Sequence, residues 1–376
     1  MAKTRLRKFL ACIAAAAALT AVLAGCGGSA DKGGAGLALH LATSGDEGIQ
    51  QPLVQIAEEA GYYKDYGLKL DRTKLGNNGA LMYDALAAGK VNAAYQQMVP
   101  PLSYAARGDD VKLFAGLISG GMVAVTKAEN AAELKDLKNW KGHSIGVVQM
   151  STSELTTRWV LENEYGFQGD DVHYVMMEDY PSIAIGVEKG NVDIGFISSQ
   201  YLPNAEKQGL ALVDTLADIK PNYVCCRQSA NGTYFSEHRD AYVAYLKGQI
   251  KAYKTYRESP DEVVRLLAKN TGEDEGFIRD YIYDEEKSAK REFCPDPNYN
   301  GSKATYDELL KQGYVQSDKT LDELYDISVY AQALKEVIAE NPDDGFYDEL
   351  VERFLRDNSE YPDFGTTYNK EYFGRA

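Results

Sequence analysis

The chain has 376 residues, with 56 Asp and Glu against 40 Lys and Arg, which gives a formal net charge of −16. This acidic balance disfavours a nucleic-acid partner, because binding to phosphates requires Lys and Arg. The length allows two domains of ordinary size.

The first 25 residues have the features of an export signal. Basic residues without any acid precede an apolar run that ends at Leu23 and is short for a membrane span. The sequence LAGC that follows resembles the lipobox of bacterial lipoproteins, in which Cys26 takes a diacylglyceryl group and becomes the first residue. A signal peptide that contains a cysteine by chance is the alternative. We expect residues 26–36 to be a flexible tether and the protein to be anchored outside the bacterial cell membrane.

Strands and helices are predicted to alternate after the tether. LALHLATSG (37–45) predicts a strand that ends in a Ser/Gly turn, and residues 49–61 predict a helix that ends at Gly61. HSIGVVQ (143–149) predicts a second such strand. Ser151 and Glu154 then form a capping box, so we expect residues 150–153 to be a turn with free backbone N–H groups.

An internal repeat indicates two similar lobes. GKVNAAY (89–95) and GNVDIGF (190–196) share Gly, Val, then Asn or Asp, a small residue and an aromatic residue. The same offset pairs Met82 with Ile183 and Leu86 with Val187 upstream. Each copy predicts a helix, a glycine that ends it and a buried strand, with a chance match as the alternative.

Two amphipathic helices are predicted near the C-terminus. DISVYAQALKEVI (326–338) and GFYDELVERFL (345–355) each place apolar residues on one stripe. We expect these helices to pack on the first lobe, and contact with a membrane permease is the alternative.

Five segments then carry a family resemblance: EAGYYKDYGLKL, ALAAGKVNAAY, YAARGDDVKLFAG, NWKGHSIGVV and GVEKGNVDIGF. They resemble segments of the nitrate, sulfonate, taurine and thiamine-precursor substrate-binding proteins of ABC importers. The resemblance implies an α/β fold with two Rossmann-like lobes and a hinge, the periplasmic-binding-protein type II architecture. It implies lobe 1 at 37–122, lobe 2 at 123–220, and a return to lobe 1 with C-terminal helices at 221–376. It further implies a monomer that holds a small solute between the lobes and delivers it to an ABC permease.

The candidate solute site consists of strand-end residues, because open parallel sheets bind ligands at the carboxyl ends of their strands. The predicted ligand-binding residues are Ser44, Glu47, Asn78, Gln97, Ser151, Thr152, Ser153, Asp179, Tyr180, Ser199 and Tyr201. Tyr180 or Tyr201 would stack on a flat ring. Gln97 and Ser199 would hydrogen-bond to its edge, and an acidic residue would accept its protons. Loops that merely solvate the rim are the alternative.

The charges of these loops predict the class of solute. They contain Asp and Glu but no Lys or Arg, and an uncompensated acidic rim repels anions. We therefore expect a neutral or cationic nitrogen heterocycle such as a thiamine pyrimidine precursor. A sulfonate, taurine or nitrate is the alternative.

The cysteine pair in YVCCRQ (223–228) raises a separate question. The segment predicts the strand that returns the chain from the second lobe, on which neighbouring side chains point to opposite faces. We therefore expect Cys225 and Cys226 not to meet, and one of them to form a disulfide with Cys294. Cys226 is the partner that we name, and Cys225 is the alternative. Two sulfurs without a nearby His do not complete a tetrahedral site, so we expect no metal.

Catalysis is the competing class of function. The sequence contains no HExxH helix, GxSxG elbow or P-loop. A relative in the resembling family is a pyrimidine synthase with a longer cysteine cluster that binds iron, whereas this chain has only Cys225 and Cys226 near the matching strand. We therefore expect no enzyme activity, no catalytic residue and no cofactor. An extracytoplasmic enzyme or redox module that uses these two cysteines is the other hypothesis.

Overall fold

The computed structural model describes residues 36–43, 47–76 and 79–375. The described strands are β1 Leu37–Thr43, β2 Leu68–Lys74, β3 Ala93–Gln97, β4 Val111–Ser119, β5 Met122–Lys127, β6 Ser144–Val148, β7 His173–Met177, β8 Ile194–Ser198, β9 Leu210–Thr215, β10 Val224–Asn231 and β11 Glu292–Phe293. The described α-helices are α1 Glu47–Gln50, α2 Pro52–Glu59, α3 Tyr62–Asp65, α4 Gly79–Ala87, α5 Val99–Arg107, α6 Ala131–Leu134, α7 Thr152–Asn163, α8 Tyr180–Lys189, α9 Leu202–Lys207, α10 Leu216–Ile219, α11 Gly232–Glu237, α12 Arg239–Glu258, α13 Pro260–Thr271, α14 Glu275–Tyr283, α15 Tyr299–Lys311, α16 Leu321–Leu324, α17 Ser328–Glu340, α18 Phe346–Asp357 and α19 Phe364–Thr367.

These strands form two sheets with related topology. The first sheet has the order β11-β4-β10-β3-β1-β2, and the second has the order β7-β6-β8-β5-β9. In each sheet a central strand, β1 or β6, lies between two parallel neighbours. The next strand is antiparallel and comes from a separate part of the chain, since β10 pairs with β3 and β5 pairs with β8. The predicted α/β class is confirmed, and the parallel strands of each sheet end at one edge.

The repeat predicted from the sequence corresponds to one unit in each sheet. α4 precedes β3 in the first sheet, and α8 precedes β8 in the second. Gly190 ends α8 in the left-handed conformation, with φ of 74°, which a glycine adopts without strain. The helix, the glycine and the buried strand are thus confirmed in both copies.

The predicted helix at 49–61 is divided into two. Pro52 begins α2, and α1 ends two residues before it, at Gln50. Proline lacks the N–H that would continue a helix but is well suited to the first turn of a new one. The sequence pattern therefore indicated the correct helical region and missed the break.

The C-terminal helices pack against the first sheet, as predicted. Leu334 of α17 and Phe354 of α18 are fully buried in one apolar cluster with Leu39 of β1 and Phe114 of β4. The second sheet has two clusters of its own, one of which contains Trp140.

The chain passes between the sheets through two glycines that follow β4. Gly120 and Gly121 have φ of 70° and 85°. A Cβ on Gly120 would lie 2.1 Å from the carbonyl oxygen of Lys290, and one on Gly121 would lie 2.5 Å from the guanidinium carbon of Arg291. Both positions therefore require glycine, for backbone conformation and for space.

The predicted disulfide between Cys226 and Cys294 is wrong. Both residues, and Cys225, are free thiols. Cys226 pairs with Ile118 from one side of β4, and Phe293, next to Cys294, pairs with Ile118 from the other side. Two strand spacings of about 4.8 Å each put these neighbours of β4 about 10 Å apart, beyond the roughly 7 Å that a disulfide spans between Cα atoms.

Candidate ligand-binding site

A cavity of about 270 Å³ lies between the two sheets, at the ends of their strands. The first sheet contributes the end of β3 and part of β4, and the second contributes the ends of β6 and β8 and the start of α8. The lining residues are Gln50, Tyr95, Gln96, Gln97, Leu117, Ile118, Gly120, Met122, Val148, Glu178, Asp179, Tyr180, Pro181, Ser198, Gln200, Tyr201, Cys225, Cys226 and Arg291. Glutamine and tyrosine supply most of the polar groups, which suits a small solute with both flat and polar surfaces.

The predicted site residues fall into three groups. Those that line the cavity are Gln97, Asp179, Tyr180 and Tyr201. Those that are buried beside it, without lining it, are Ser151, Thr152, Ser153 and Ser199. Ser44, Asn78 and the side chain of Glu47 lie outside the described residues.

Gln97 joins the two sides of the cavity. Its side-chain oxygen accepts a hydrogen bond of 2.8 Å from the backbone N–H of Thr152, at the start of α7. Its side-chain nitrogen donates a hydrogen bond of 2.9 Å to the hydroxyl of Tyr180, at the start of α8. One amide from the first sheet thus contacts two helix starts of the second sheet.

The turn before α7 uses most of the N–H groups that we predicted to be free. The Thr152 N–H is bonded to Gln97, and the Glu154 N–H donates to the Ser151 hydroxyl at 3.2 Å. The capping box also differs from the prediction, because the Glu154 carboxylate accepts from the backbone of Met150, at 2.6 Å. Protein groups therefore already bind the N–H groups of Met150, Thr152 and Glu154.

Asp179 and Ser199 are likewise engaged with the protein. Asp179 is the N-cap of α8, and the Ser182 N–H donates to it at 2.8 Å. Hydrogen bonds from Ser182 hold the pKa of Asp179 below its usual range, so the carboxylate is ionised at neutral pH. The Ser199 hydroxyl donates to the carbonyl of Ser288 at 3.1 Å.

The two predicted aromatic residues lie together in the cavity wall. The ring centroids of Tyr180 and Tyr201 are 6.0 Å apart, at an interplanar angle of 44°. Burial raises the pKa of Tyr180, so its hydroxyl stays protonated. The rings are thus placed to contact a flat solute, while the Tyr180 hydroxyl is fixed by Gln97.

Arg291 brings a positive charge that the sequence pattern did not indicate. Its Nη2 donates to the Gly121 carbonyl at 3.1 Å and to the Ser199 hydroxyl at 2.9 Å, and its guanidinium lies 4.1 Å from the ring centre of Tyr281. The residue precedes β11, which is only two residues long. Such a short strand has no periodicity that would place Arg291 at the cavity.

The expectation that Cys225 and Cys226 point apart is wrong. A register shift in the pairing of β10 with β4 leaves Cys225 as an extra residue between Val224 and Cys226. This β-bulge interrupts the alternation of side chains, so both thiols line the cavity. The Cys226 thiol donates to the Cys225 sulfur, and the two sulfurs are 3.4 Å apart.

The hydrogen bond between the thiols shifts their pKa values in opposite directions. Acceptance of that bond, together with the charge of Arg291, lowers the pKa of Cys225. Donation of the same bond, together with burial, raises the pKa of Cys226. The sulfur of Cys225 is therefore the more readily ionised of the two, and it accepts a hydrogen bond from the Cys226 thiol.

Two further properties concern metals and membranes. Across residues 36–43, 47–76 and 79–375, no three His, Cys, Asp or Glu side chains come together as a possible metal site. In the same part of the chain, every helix is too short or too polar to cross a membrane.

The two sheets with a cavity between them have the fold of the periplasmic binding proteins. The profile of the family described as NMT1/THI5 like matches residues 52–263, more than half of the chain, and the chain belongs to that family. No curated protein matches the sequence.

Several solved structures share the fold. The periplasmic aliphatic sulphonate binding protein of Escherichia coli has a TM-score of 0.62 and 19% identity, over 77% of this chain and 91% of that protein. The periplasmic nitrate-binding protein of Synechocystis PCC 6803 has a TM-score of 0.63 and 12% identity, over 83% and 91%. The desulfurization enzyme DSZB has a TM-score of 0.58 and 15% identity, over 80% and 99%. At these identities the likeness concerns the fold alone.

Proposed function

We propose that the protein is the solute-binding component of an ABC import system and that it holds one small solute in the cavity between the two sheets. The observation that carries this proposal is the bridging amide of Gln97, which connects the two walls of a cavity of about 270 Å³. A solute held there contacts both halves and stabilises the form in which they are together. The family and the fold support the proposal.

Solute release requires the two halves to separate. We assign the hinge to Gly120 and Gly121 and to the entry into β10, where the chain passes between the sheets. Separation breaks the two bonds of Gln97, which neutral groups re-form with water at low net cost. Hinge closure then brings the two halves together again around the next solute.

The solute we propose is a flat nitrogen heterocycle that is neutral overall. Tyr180 and Tyr201 supply aromatic surface, and Gln50, Gln96 and Gln200 supply amides that match ring nitrogens and amino groups. Arg291 disfavours a cationic heterocycle, whereas Glu178 and Asp179 of the same lining favour one, so the charges of the wall do not select a charged ring over a neutral one. A second candidate is a small anion such as a sulfonate or nitrate, which the same arginine favours.

Calorimetry on the purified protein tests the two solutes. The panel contains an aminopyrimidine, taurine, an alkanesulfonate and nitrate, and each is also titrated into Tyr201→Ala and Arg291→Gln. The heterocycle should bind, and loss of the Tyr201 ring should lower its affinity by up to about tenfold. Tight binding of an anion that disappears in Arg291→Gln would select the second candidate, and no binding by any member would contradict both.

We further propose that the solute leaves unchanged, because binding and closure need no bond chemistry. DSZB shows that the fold is compatible with an enzyme, so the point needs its own test. The protein is incubated with each bound solute, and the mass of the recovered solute is determined. Conversion that depends on Cys225 would replace this proposal with an enzymatic one.

The location we propose is outside the cell membrane, with a lipid on Cys26. The motif lies within the first 35 residues, outside the described part of the chain. Two acyl chains on one cysteine are enough for stable anchoring, so Cys26→Ser should move the protein from the membrane fraction to the soluble fraction. Cys12→Ser is the matched control and should leave it anchored.

A further inference from the structure

Cys294, the third described cysteine, shows by comparison what is particular to Cys225 and Cys226. Cys294 is buried in the apolar cluster of the first sheet, and burial raises its pKa to about 12. A thiol in that state neither ionises near neutral pH nor meets a solute. Cys225 and Cys226 differ from Cys294, because they line the cavity and their sulfurs share a hydrogen bond.

The β-bulge gives this pair a geometry that adjacent cysteines on a regular strand lack. Side chains of neighbouring strand residues point to opposite faces, whereas here the sulfurs are 3.4 Å apart. A disulfide bond is about 2.05 Å long, so bond formation requires the sulfurs to move closer by about 1.3 Å and the peptide between the two residues to adjust. Two cations lie nearby: Arg291 lines the same cavity, and Arg227 donates to the Cys226 carbonyl at 2.8 Å.

We propose that Cys225 and Cys226 are a reactive dithiol site that is oxidised to an intramolecular disulfide by small organic disulfides entering the cavity. The cavity of about 270 Å³ limits the reagent to a compound of a few linked atoms on either side of its sulfurs. The pair lies in the cavity that we propose for the solute, but its oxidation does not require that proposal to hold.

The reaction balances in two exchange steps. The Cys225 thiolate attacks one sulfur of the reagent, whose S–S bond breaks, and the leaving thiolate takes a proton from water. The Cys226 thiol then loses its proton to water, and its sulfur attacks Cys225. The mixed disulfide breaks, and the second thiolate of the reagent leaves and is protonated. Two protein thiols lose two electrons in total, and one organic disulfide becomes two thiols.

The test uses cystamine on the full folded chain, followed by acid quenching, alkylation under denaturing conditions and peptide mass mapping. The peptide with residues 225 and 226 should lose both alkylation sites and two hydrogen atoms, while Cys294 stays fully alkylated. Cys226→Ser should stop at a stable cystamine adduct on Cys225. Cys225→Ser should take up at most one cystamine, on Cys226, and form no intramolecular disulfide, because the second sulfur is absent.

Cys294→Ser is the matched control and should react as the parent does, and circular dichroism confirms that each variant is folded. An adduct on Cys225 that Cys226 never displaces in the parent chain would overturn the proposal. So would a disulfide between two molecules, or oxidation of Cys294 at the same rate as the pair.

Discussion

In the two sheets, the helix and the strand of the repeat pack together with different side chains. At the repeat, Asn92 of the first half and Asp193 of the second make the same contact: each side-chain oxygen accepts from a strand N–H, of His40 at 2.9 Å or Ser144 at 2.8 Å. Two residues later the halves differ, with Ala94 in β3 and Gly195 in β8.

The difference follows from the helix that covers each strand. Gly195 lies under Ile183 and Val187, and an added Cβ would be 2.6 and 2.8 Å from their Cγ2 methyl groups. The corresponding residues of the first half are Met82 and Leu86, which carry no branch at Cβ. A branched helix face thus requires glycine in the strand, and an unbranched one accepts alanine. The halves are repeats whose cores have diverged in a coordinated way.

Gly195→Ala should cause the largest loss of stability, because the strand has no room for a side chain. Its methyl group has to displace stiff β-branched side chains, which costs about 2–3 kcal/mol of unfolding free energy. Urea denaturation measures the loss. Adding Ile183→Met and Val187→Leu copies the first half and should recover most of it, and a triple variant as unstable as the single one would refute the coordinated divergence.

Asp296 lies in the return segment after β11, which belongs to the first sheet. The carboxyl accepts bonds from Asn298 and Asn358, but its second oxygen has no partner within the described residues. Burial raises the pKa of Asp296 to about 6, whereas an unfolded Asp titrates near 3.9. The folded state therefore binds the extra proton, and stability falls as the pH rises from about 4 to about 6.

Asp296→Asn should remove that fall. A shift of about two pKa units corresponds to about 3 kcal/mol, and an unpaired amide offsets part of it at every pH, so we expect a gain of about 1–2 kcal/mol at pH 7.5 and a loss of about 1 kcal/mol at pH 4. Urea denaturation across this range measures both values. The control Asp274→Asn changes an exposed N-cap, where Asn serves equally well. A gain that is the same at both pH values would contradict the assignment.

Replacing Gln97 tests the contact between the two halves. Gln97→Ala removes both hydrogen bonds to the second sheet, each worth about 1 kcal/mol. The N–H of Thr152 should exchange with solvent about fivefold faster, while amides in the centre of β6 keep their protection. Gln50→Ala is the matched control, since Gln50 lines the same cavity. Unchanged exchange at Thr152 would show that Gln97 does not hold the halves together.

The parts of the molecule that were predictable from the sequence are those set by local periodicity. The repeat indicated both sheets. The ends of predicted strands indicated Gln97, Tyr180 and Tyr201, which line the cavity. The failures share another cause, because each depends on how distant strands pair. The bulge at Cys225 is a register shift against β4. The predicted disulfide was wrong because β4 lies between the strands that carry its two cysteines. Arg291 was missed because it lines the cavity from the return segment.

Asp193→Asn should have the smallest effect, because it gives the second half the residue of the first. Burial works against ionisation, but hydrogen bonds from Ser144 and the neighbouring His143 lower the pKa of Asp193 overall. The charged form therefore contributes stability above about pH 4, and that contribution is lost as the pH falls through the folded pKa. The side chain is 45% exposed, so solvent screening limits the loss in Asp193→Asn to about 0.5 kcal/mol at pH 7. Urea denaturation at pH 7 and pH 3 measures it, and the parent and variant should converge at the lower pH. A loss as large as that of Gly195→Ala would mean that the charge, and not the shared hydrogen bond, holds this turn in the second half.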